Sequence, residues 1–312
     1  MTVAAKNHSI VNGLVSHIEQ RNDVDSEVPC VMIIALVEGR YKVSIPFDEF
    51  YQKNPIDMAT VNMETKAGRE EYVNRCATMA AKLYSLNVPM VITTIQVDES
   101  TDAEAGVPAY VIVASRKAAL DIIEEANYGD RPDGDGPRIQ EGDFVRAQIT
   151  SVARDSIAVV VGGVDTRVSL HALTFEYLVD ARTKYKVGQE IMVQVEQIIK
   201  EKDGHHIVEV NCKQPELERA KQMRSALPIG SIVFGIVSSV AASKKQPGNI
   251  NVLAYIKMYD LPVLVNNMPA KFLGSEPPRG STVRLKVLNY LDNGMILCRC
   301  IGTQGPMNFP NA

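Results

Sequence analysis

Between Asp143 and Cys212 apolar and polar residues alternate in short runs. In "EIMVQVEQII", Ile191, Val193 and Val195 point one way and Met192, Gln194 and Glu196 the other. That is the period-two pattern of a strand with one buried face. The run follows "TKYKVGQ", whose glycine marks a turn. Four more runs, "DFVRAQITSV", "SIAVVVGG", "VDTRVSLHAL" and "HHIVEVNC", have the same character and are punctuated by Gly and Asp. Five short strands in about 70 residues predict a small barrel.

The pattern recurs. "EGDFVRAQITSV" (141–152) is echoed by "IGSIVFGIVSSV" (229–240), and "KVGQEIMVQVEQIIKEKDGHHIVEV" (186–210) by "PRGSTVRLKVLNYLDNGMILCRC" (278–300). "NVLAYIKMYDLPVLVNN" supplies the hairpin between them, as "SIAVVVGGVDTRVSLHAL" does earlier. Self-similarity on this scale indicates duplicated modules. The N-terminal third reads as a divergent copy. There "VMIIALVEGRYKVSIPFDEF" is the central hairpin, "LYSLNVPMVITTIQVDE" the strand after the turn, and "AYVIVASRKAAL" the closing strand. Tyr72, Cys76, Met79, Ala80 and Leu83 are spaced for one face of a helix over 64–85. Leu14 to Ile18 also reads as helical, which leaves this copy without an evident first strand.

Breaks fall at "NYGDRPDGDGPRIQEGD" (127–143), rich in Gly, Pro and Asp, and at 213–230, where Pro215 suits a helix start and Pro228 its end. The predicted organisation is an extension over 1–27, a divergent module with a helical insert over 28–130, a module over 138–213, a connecting helix over 214–227 and a module over 228–305. The fold class is mainly β, three tandem five-stranded barrels with short helices.

Composition changes this picture only at its margins. With 46% hydrophobic and 22% charged residues the chain reads as ordinary globular protein, and without a run of about 18 apolar residues no membrane partner is expected. The N-terminus lacks the continuous apolar core of a secretion signal. Five cysteines, an odd number with no C-x-x-C, argue against disulfide or zinc frameworks and suit a reducing cytoplasm. Cys298 and Cys300 flank Arg299 on one strand, so both point to the same side, that of a core. Charge is distributed unevenly: 12 Lys/Arg against 21 Asp/Glu over 1–137, but 8 against 3 over 228–312. An acidic front and a basic back imply different partners.

The order "GDFVRAQITSV", "GGVDTRVSLHAL", "YKVGQEIMVQVEQI" resembles the S-one-type RNA-binding domain, the OB-fold module found in tandem in ribosomal protein S-one. "VASRKAAL" is similar to a module ending common in bacterial arrays of that domain. The whole chain is similar to S-one-repeat proteins of Gram-positive bacteria, their phages or mobile elements. The resemblance implies three OB barrels and binding of RNA or single-stranded nucleic acid. It also implies an aromatic pair and a His on the binding face. Here Asp155 and Ala158 occupy the positions of the rings and Ser169 that of the His, with His171 two residues on. Stacking on an aromatic is worth about 1–3 kcal/mol per base, so the departure matters.

Cations for phosphates and flat groups for bases are what such binding needs. In the middle module the candidates are Arg146, Arg154, Arg167, His171, Phe175, Tyr177, Arg182, Lys184 and Tyr185. Phe175 and Tyr177 read equally as core residues, and His171 as a surface or core residue. In the last module "SKKQPGN" is a basic loop with Lys244 and Lys245, and Lys257, Tyr259, Lys271, Phe272 and Arg279 follow. Arg40, Tyr41 and Lys42 form a cationic-aromatic triplet in the acidic first module.

No phosphate-binding glycine loop, dinucleotide fingerprint, zinc-protease motif or nucleophile elbow occurs. His205 and His206 have no carboxylate or Cys at metal-ligand spacing in the sequence. No cofactor, metal or catalysis is expected. Two functions remain open: a non-catalytic array binding RNA or single-stranded nucleic acid with affinity shared between modules, and a docking scaffold, its base-stacking face lost, that joins a protein complex through its acidic N-terminal module.

Overall fold

The computed structural model describes residues 9–21, 30–97, 110–131, 134, 136–269 and 276–304. Among the described residues fifteen strands form three five-stranded sheets in chain order. In the first, β1 (Ile10–Arg21), β2 (Cys30–Val37), β3 (Tyr41–Pro46), β4 (Asn87–Val97) and β5 (Tyr110–Ser115) close into a barrel of order β1-β2-β3-β5-β4. The third repeats that order with β11 (Ile232–Ala242), β12 (Asn249–Ile256), β13 (Leu261–Pro269), β14 (Thr282–Tyr290) and β15 (Ile296–Gln304). The middle sheet has β6 (Phe144–Val152), β7 (Ser156–Val161), β8 (Val164–Ser169), β9 (Glu190–Lys200) and β10 (His206–Asn211) in the order β10-β9-β6-β7-β8. Its outer strands β8 and β10 face each other without a ladder, where the closed barrels pair their third and fifth strands in parallel.

Each sheet encloses its own core. Val15, Ile33, Ile45, Met90 and Ile92 are buried in the first, Ile149, Val159, Val193 and Val208 in the second, Val237, Val263, Leu285 and Ile296 in the third. The opening strand of every sheet carries a register shift at an equivalent place: Val15/His17, Ile149/Ser151 and Val237/Ser239. A bulge there bends the strand so that it pairs with one neighbour along its first half and another along its second.

This bulge explains one departure from the sequence reading. Leu14 to Ile18 lies in strand β1, not in a helix, and β1 runs through the segment assigned to an N-terminal extension. Val15 is buried and Val11 and Ile18 pack beside it. The extra residue at the bulge turns strict alternation into positions 11, 15 and 18, which mimics helical spacing.

Helix α1 (Lys66–Ala80) lies between β3 and β4 and is capped by Thr65, whose Oγ1 accepts the Gly68 N–H at 3.1 Å. Cys76, Ala80 and Leu83 are buried from it and the turn that follows. "AYVIVASRKAAL" is strand only to Ser115. Ser115 accepts the Ala118 N–H at 2.9 Å and starts a second helix, α2 (Arg116–Tyr128). Ala119, Leu120 and Tyr128 bury one face of that helix, a period the short stretch "RKAAL" was too brief to display. Two further helices are short: α3 (Leu170–Leu173) and the connecting α4 (Gln214–Gln222), with Pro215 in its first turn. Among the described residues no helix is long and apolar enough to cross a membrane.

The β7–β8 hairpin turns on Gly162 and Gly163, with φ of 58° and 101°. A Cβ on Gly163 would lie 2.4 Å from the backbone nitrogen of Glu124 and 2.8 Å from the Leu120 carbonyl oxygen. Only glycine lets the hairpin rest on the backbone of α2. Asn127 donates to the Gly162 carbonyl at 3.1 Å and the Tyr128 hydroxyl to the Val161 carbonyl at 2.9 Å. The first barrel's trailing helix thus grips the middle sheet.

Candidate nucleic-acid interface

Alternation sets the outward face of the middle sheet. Ile157, Val159 and Val161 are buried, which leaves Ala158 and Val160 on the other side of β7. On β8 the outward Arg167 lies directly opposite Ala158, and Asp165 opposite Val160. Asp155 is exposed in the turn before β7. The face therefore carries a cation and small residues, not rings.

A cleft of about 410 Å³ covers this face. One wall is the first barrel's segment Tyr51–Pro55 together with Met79, Lys82 and Leu83. The other is Thr150, Ser151, Ala158, Val164–Arg167 and His205–Val208, so the cleft follows the seam at which β8 and β10 do not pair. Three cations line it. Lys53 is held by Glu201 at 2.7 Å, which also raises the lysine's pKa. Lys82 and Arg167 are exposed and have no carboxylate partner among the described residues.

Buried polar groups fix the two walls relative to each other. Gln52 donates to Glu124 at 3.0 Å and Asp121 at 3.3 Å, and accepts the Asp165 N–H at 3.1 Å. Arg116, 1% exposed, donates to the Phe50 carbonyl at 2.7 Å and reaches both Asp165 oxygens at 3.4 Å, its guanidinium 4.8 Å from the Phe50 ring centre. Glu124 accepts from the His206 N–H at 2.6 Å and His206 Nδ1 at 2.9 Å, and its second oxygen meets His205 Nδ1 at 3.3 Å. The carboxylate that His205 and His206 lack in sequence is thus supplied by a helix about 80 residues earlier. Ligand atoms of Asp121, Glu124 and His205 lie within 4.8 Å of one another, but hydrogen bonds from Gln52 and the two histidines already engage them. Burial pushes the hydroxyl of Tyr51, which lines the cleft, up to about 12.

Of the described residues expected from sequence, Arg167 lines this cleft and the others lie elsewhere. Arg146 is exposed on β6, 3.5 Å from Glu190. Arg154 is exposed in the β6–β7 turn. His171 is exposed on α3 rather than on the strand face the spacing suggested, because the chain turns helical at Leu170. Arg182 is engaged by Asp180 at 2.6 Å, which holds that carboxyl down at about 2. Lys184 sits between Glu176 at 2.8 Å and Asp260 at 3.6 Å, over the Tyr255 ring. Phe175 lies under the Lys213 ammonium at 5.1 Å, and Tyr177 rests against Gly280, where a Cβ would meet its ring at 3.2 Å. These last residues and the buried Tyr185 form the joint with the third barrel.

The centre of that joint is Glu216 on α4, which accepts from Thr174 Oγ1 at 2.5 Å, the Phe175 N–H at 2.9 Å and the Tyr255 hydroxyl at 3.3 Å. Burial outweighs these donors and raises its pKa. In the third barrel Lys244, Lys245 and Lys257 are exposed in hairpin loops, Tyr259 packs on the core and Arg279 is exposed. Lys271 and Phe272 lie outside the described residues. In the first barrel Lys42 is paired with Glu19 at 2.5 Å and Arg40 with Glu38 at 3.1 Å, so the cations of that triplet are neutralised. Sequence reasoning missed Lys53 and Lys82, because the acidic total of the N-terminal third hides two cations that folding directs at its neighbour.

Residues 138–206 match the S1 RNA binding domain family and form one S1 domain. A comparison with curated protein sequences finds no match. Among solved structures, the chain is similar to one from the a/eIF2alpha-aDim2p-rRNA complex of Pyrococcus horikoshii, with 16% identity and a TM-score of 0.22 over 27% of this chain and 56% of that one. It is also similar to a multidomain protein with nucleic acid binding domains from Streptococcus pneumoniae, with 12% identity and a TM-score of 0.22 over 94% of this chain and 73% of that one.

Proposed function

We propose that this chain is a non-catalytic binder of RNA or single-stranded nucleic acid, and that it holds the strand in the cleft over the β7–β8 face. The observation that carries this reading is the outward face of the S1 domain, where Arg167 has no carboxylate partner among the described residues and shares one cleft with Lys82 and Lys53 of the first barrel. Phosphates are met by Arg167 and Lys82, the two of these cations not engaged by a carboxylate among the described residues, and the bases lie over Ala158 and Ser151. Without rings on the face, affinity at this one site is modest. Linking it to other contacts on the same chain raises the whole without any new contact. Among the described residues no observation favours the docking-scaffold reading.

The test is fluorescence anisotropy of a labelled oligouridylate with the full chain at several salt concentrations. Binding is expected to fall with salt. Replacing Arg167 and Lys82 together by Ala is expected to weaken it about ten-fold and to reduce the log–log salt slope by roughly 1.4, at about 0.7 per phosphate contact on a single strand. Both side chains are exposed, so the melting temperature should stay at the wild-type value. An unchanged slope and affinity in this variant would remove the cleft from the account.

A further inference from the structure

The third barrel has a second outward face, made by β11, β14 and β15, with a different chemistry. Burial alternates over 232–237, 282–287 and 297–300. Val233, Leu285, Val287, Cys298 and Cys300 point inward, and Phe234, Arg284, Lys286 and Arg299 point out. The register brings the outward set together: Phe234 opposite Arg284, and Lys286 opposite Ile232 on one side and Arg299 on the other.

Two features set this face apart. First, its cations are not neutralised. Strands β11, β14 and β15 contain no Asp or Glu, and Arg284, Lys286 and Arg299 have no ion-pair partner among the described residues. The corresponding face of the middle sheet has Arg146 beside Glu190, with Glu196 and Glu209 further along. Second, Lys286 and Arg299 are like charges directly opposite on neighbouring strands, an arrangement that destabilises a sheet. A polyanion lying across the strands would relieve the repulsion. Phe234, 51% exposed, stands beside Arg284 as a flat apolar surface, which a base stacks on and a duplex with paired, stacked bases does not offer.

We infer that the β11–β14–β15 face of the third barrel is a second binding surface for single-stranded nucleic acid. Arg284, Lys286 and Arg299 take successive phosphates and Phe234 stacks one base. The inference rests on the nucleic-acid function proposed above and gives that function a site apart from the cleft, on the basic end of the chain. It is separate from the "SKKQPGN" loop, which lies between β11 and β12.

The experiment uses the full chain, a labelled oligouridylate and anisotropy across a salt series. The triple variant Arg284→Ala/Lys286→Ala/Arg299→Ala is expected to lower the log–log salt slope by about 2, from three lost phosphate contacts. Phe234→Ala is expected to weaken binding about five-fold or more with an unchanged slope, since stacking is not a counterion effect. Lys286→Ala alone should melt at or above the wild-type temperature, because it removes a like-charge contact; a lower melting temperature would mean the lysine serves the fold. If the triple variant and Phe234→Ala bind as wild type does while the Arg167→Ala/Lys82→Ala variant is impaired, this surface is overturned and the cleft stands. If the wild type fails to bind at the lowest salt, both fall. If poly-glutamate competes with the oligouridylate at equal charge and Phe234→Ala has no effect, the occupant is an acidic protein and the assignment to nucleic acid is overturned.

Discussion

Arg116→Met should cost the chain about 3 kcal/mol of stability, the scale seen when one member of a buried ion pair is removed. Met approximates the volume of Arg but brings no charge and no donors. The Phe50 carbonyl would lose its 2.7 Å donor and Asp165 its cation, both at the contact between the first barrel and the middle sheet. Arg116 Nε has no hydrogen-bond partner among the described residues, and a second unsatisfied buried group beside it adds its own desolvation cost. Urea unfolding monitored by circular dichroism measures the loss. Asp165→Asn should cost a comparable amount, because it leaves the Arg116 guanidinium, whose side chain is 2% exposed, without its counter-charge. A loss under about 1 kcal/mol for Arg116→Met would show that the two units are not joined through this residue.

The second large effect is expected at Glu216. Glu216→Ala strands the Thr174 hydroxyl and the Phe175 N–H, and takes an acceptor from Tyr255, at the joint between the middle sheet and the third barrel. Charge-assisted bonds of this kind are worth about 1.5–3 kcal/mol each, and a total near 3 kcal/mol is expected because part of the site can rehydrate. Glu216→Gln retains one acceptor for the Phe175 N–H, and the hydroxyls can rotate to accept from the amide, so its cost should be below about 1.5 kcal/mol. The pH dependence has a definite sign. Burial raises the folded carboxyl above its ordinary value of 4.5, so the folded state binds the proton more tightly than the unfolded chain. Its contribution is complete below the ordinary value and falls as pH rises through the raised one. Urea midpoints across pH should show this decline in the wild type and lose it in Glu216→Gln. A midpoint that rises with pH in the wild type and not in the variant would contradict the assignment.

The strands were legible because a sheet with one buried face must alternate. "KVGQEIMVQVEQI" and its echo at Gly280–Tyr290 showed that period in single runs, and the structure has β9 and β14 there. Where a local device disturbs the period, the reading failed. The bulge at Val15 turned β1 into an apparent helix, and Ser115 ended β5 and capped α2 inside a stretch that read as one strand. The candidate site was less legible still, for a reason that lies in distance. Arg167 belongs to the S1 domain and could be named from its strand. The wall facing it comes from Tyr51–Pro55 and Lys82, over 80 residues away, and nothing in local spacing joins them. Lys184, Phe175 and Tyr177 had the right chemistry for a nucleic acid, but Glu216 on the connecting helix draws their segment into a joint. The cations of the third barrel were visible as a surplus. Their convergence required the register that sets Lys286 opposite Arg299.

The most direct test of the central claim is to map where a strand lies on the full chain. An oligouridylate carrying photoreactive thiouracil would be cross-linked to the protein at low salt and the joined peptides identified by mass spectrometry. The account predicts cross-links to the cleft walls, at residues 51–55, 79–83 and 150–167, with a second set on β11, β14 and β15. Cross-links that avoid the cleft walls altogether, from a strand that nevertheless binds, would contradict it.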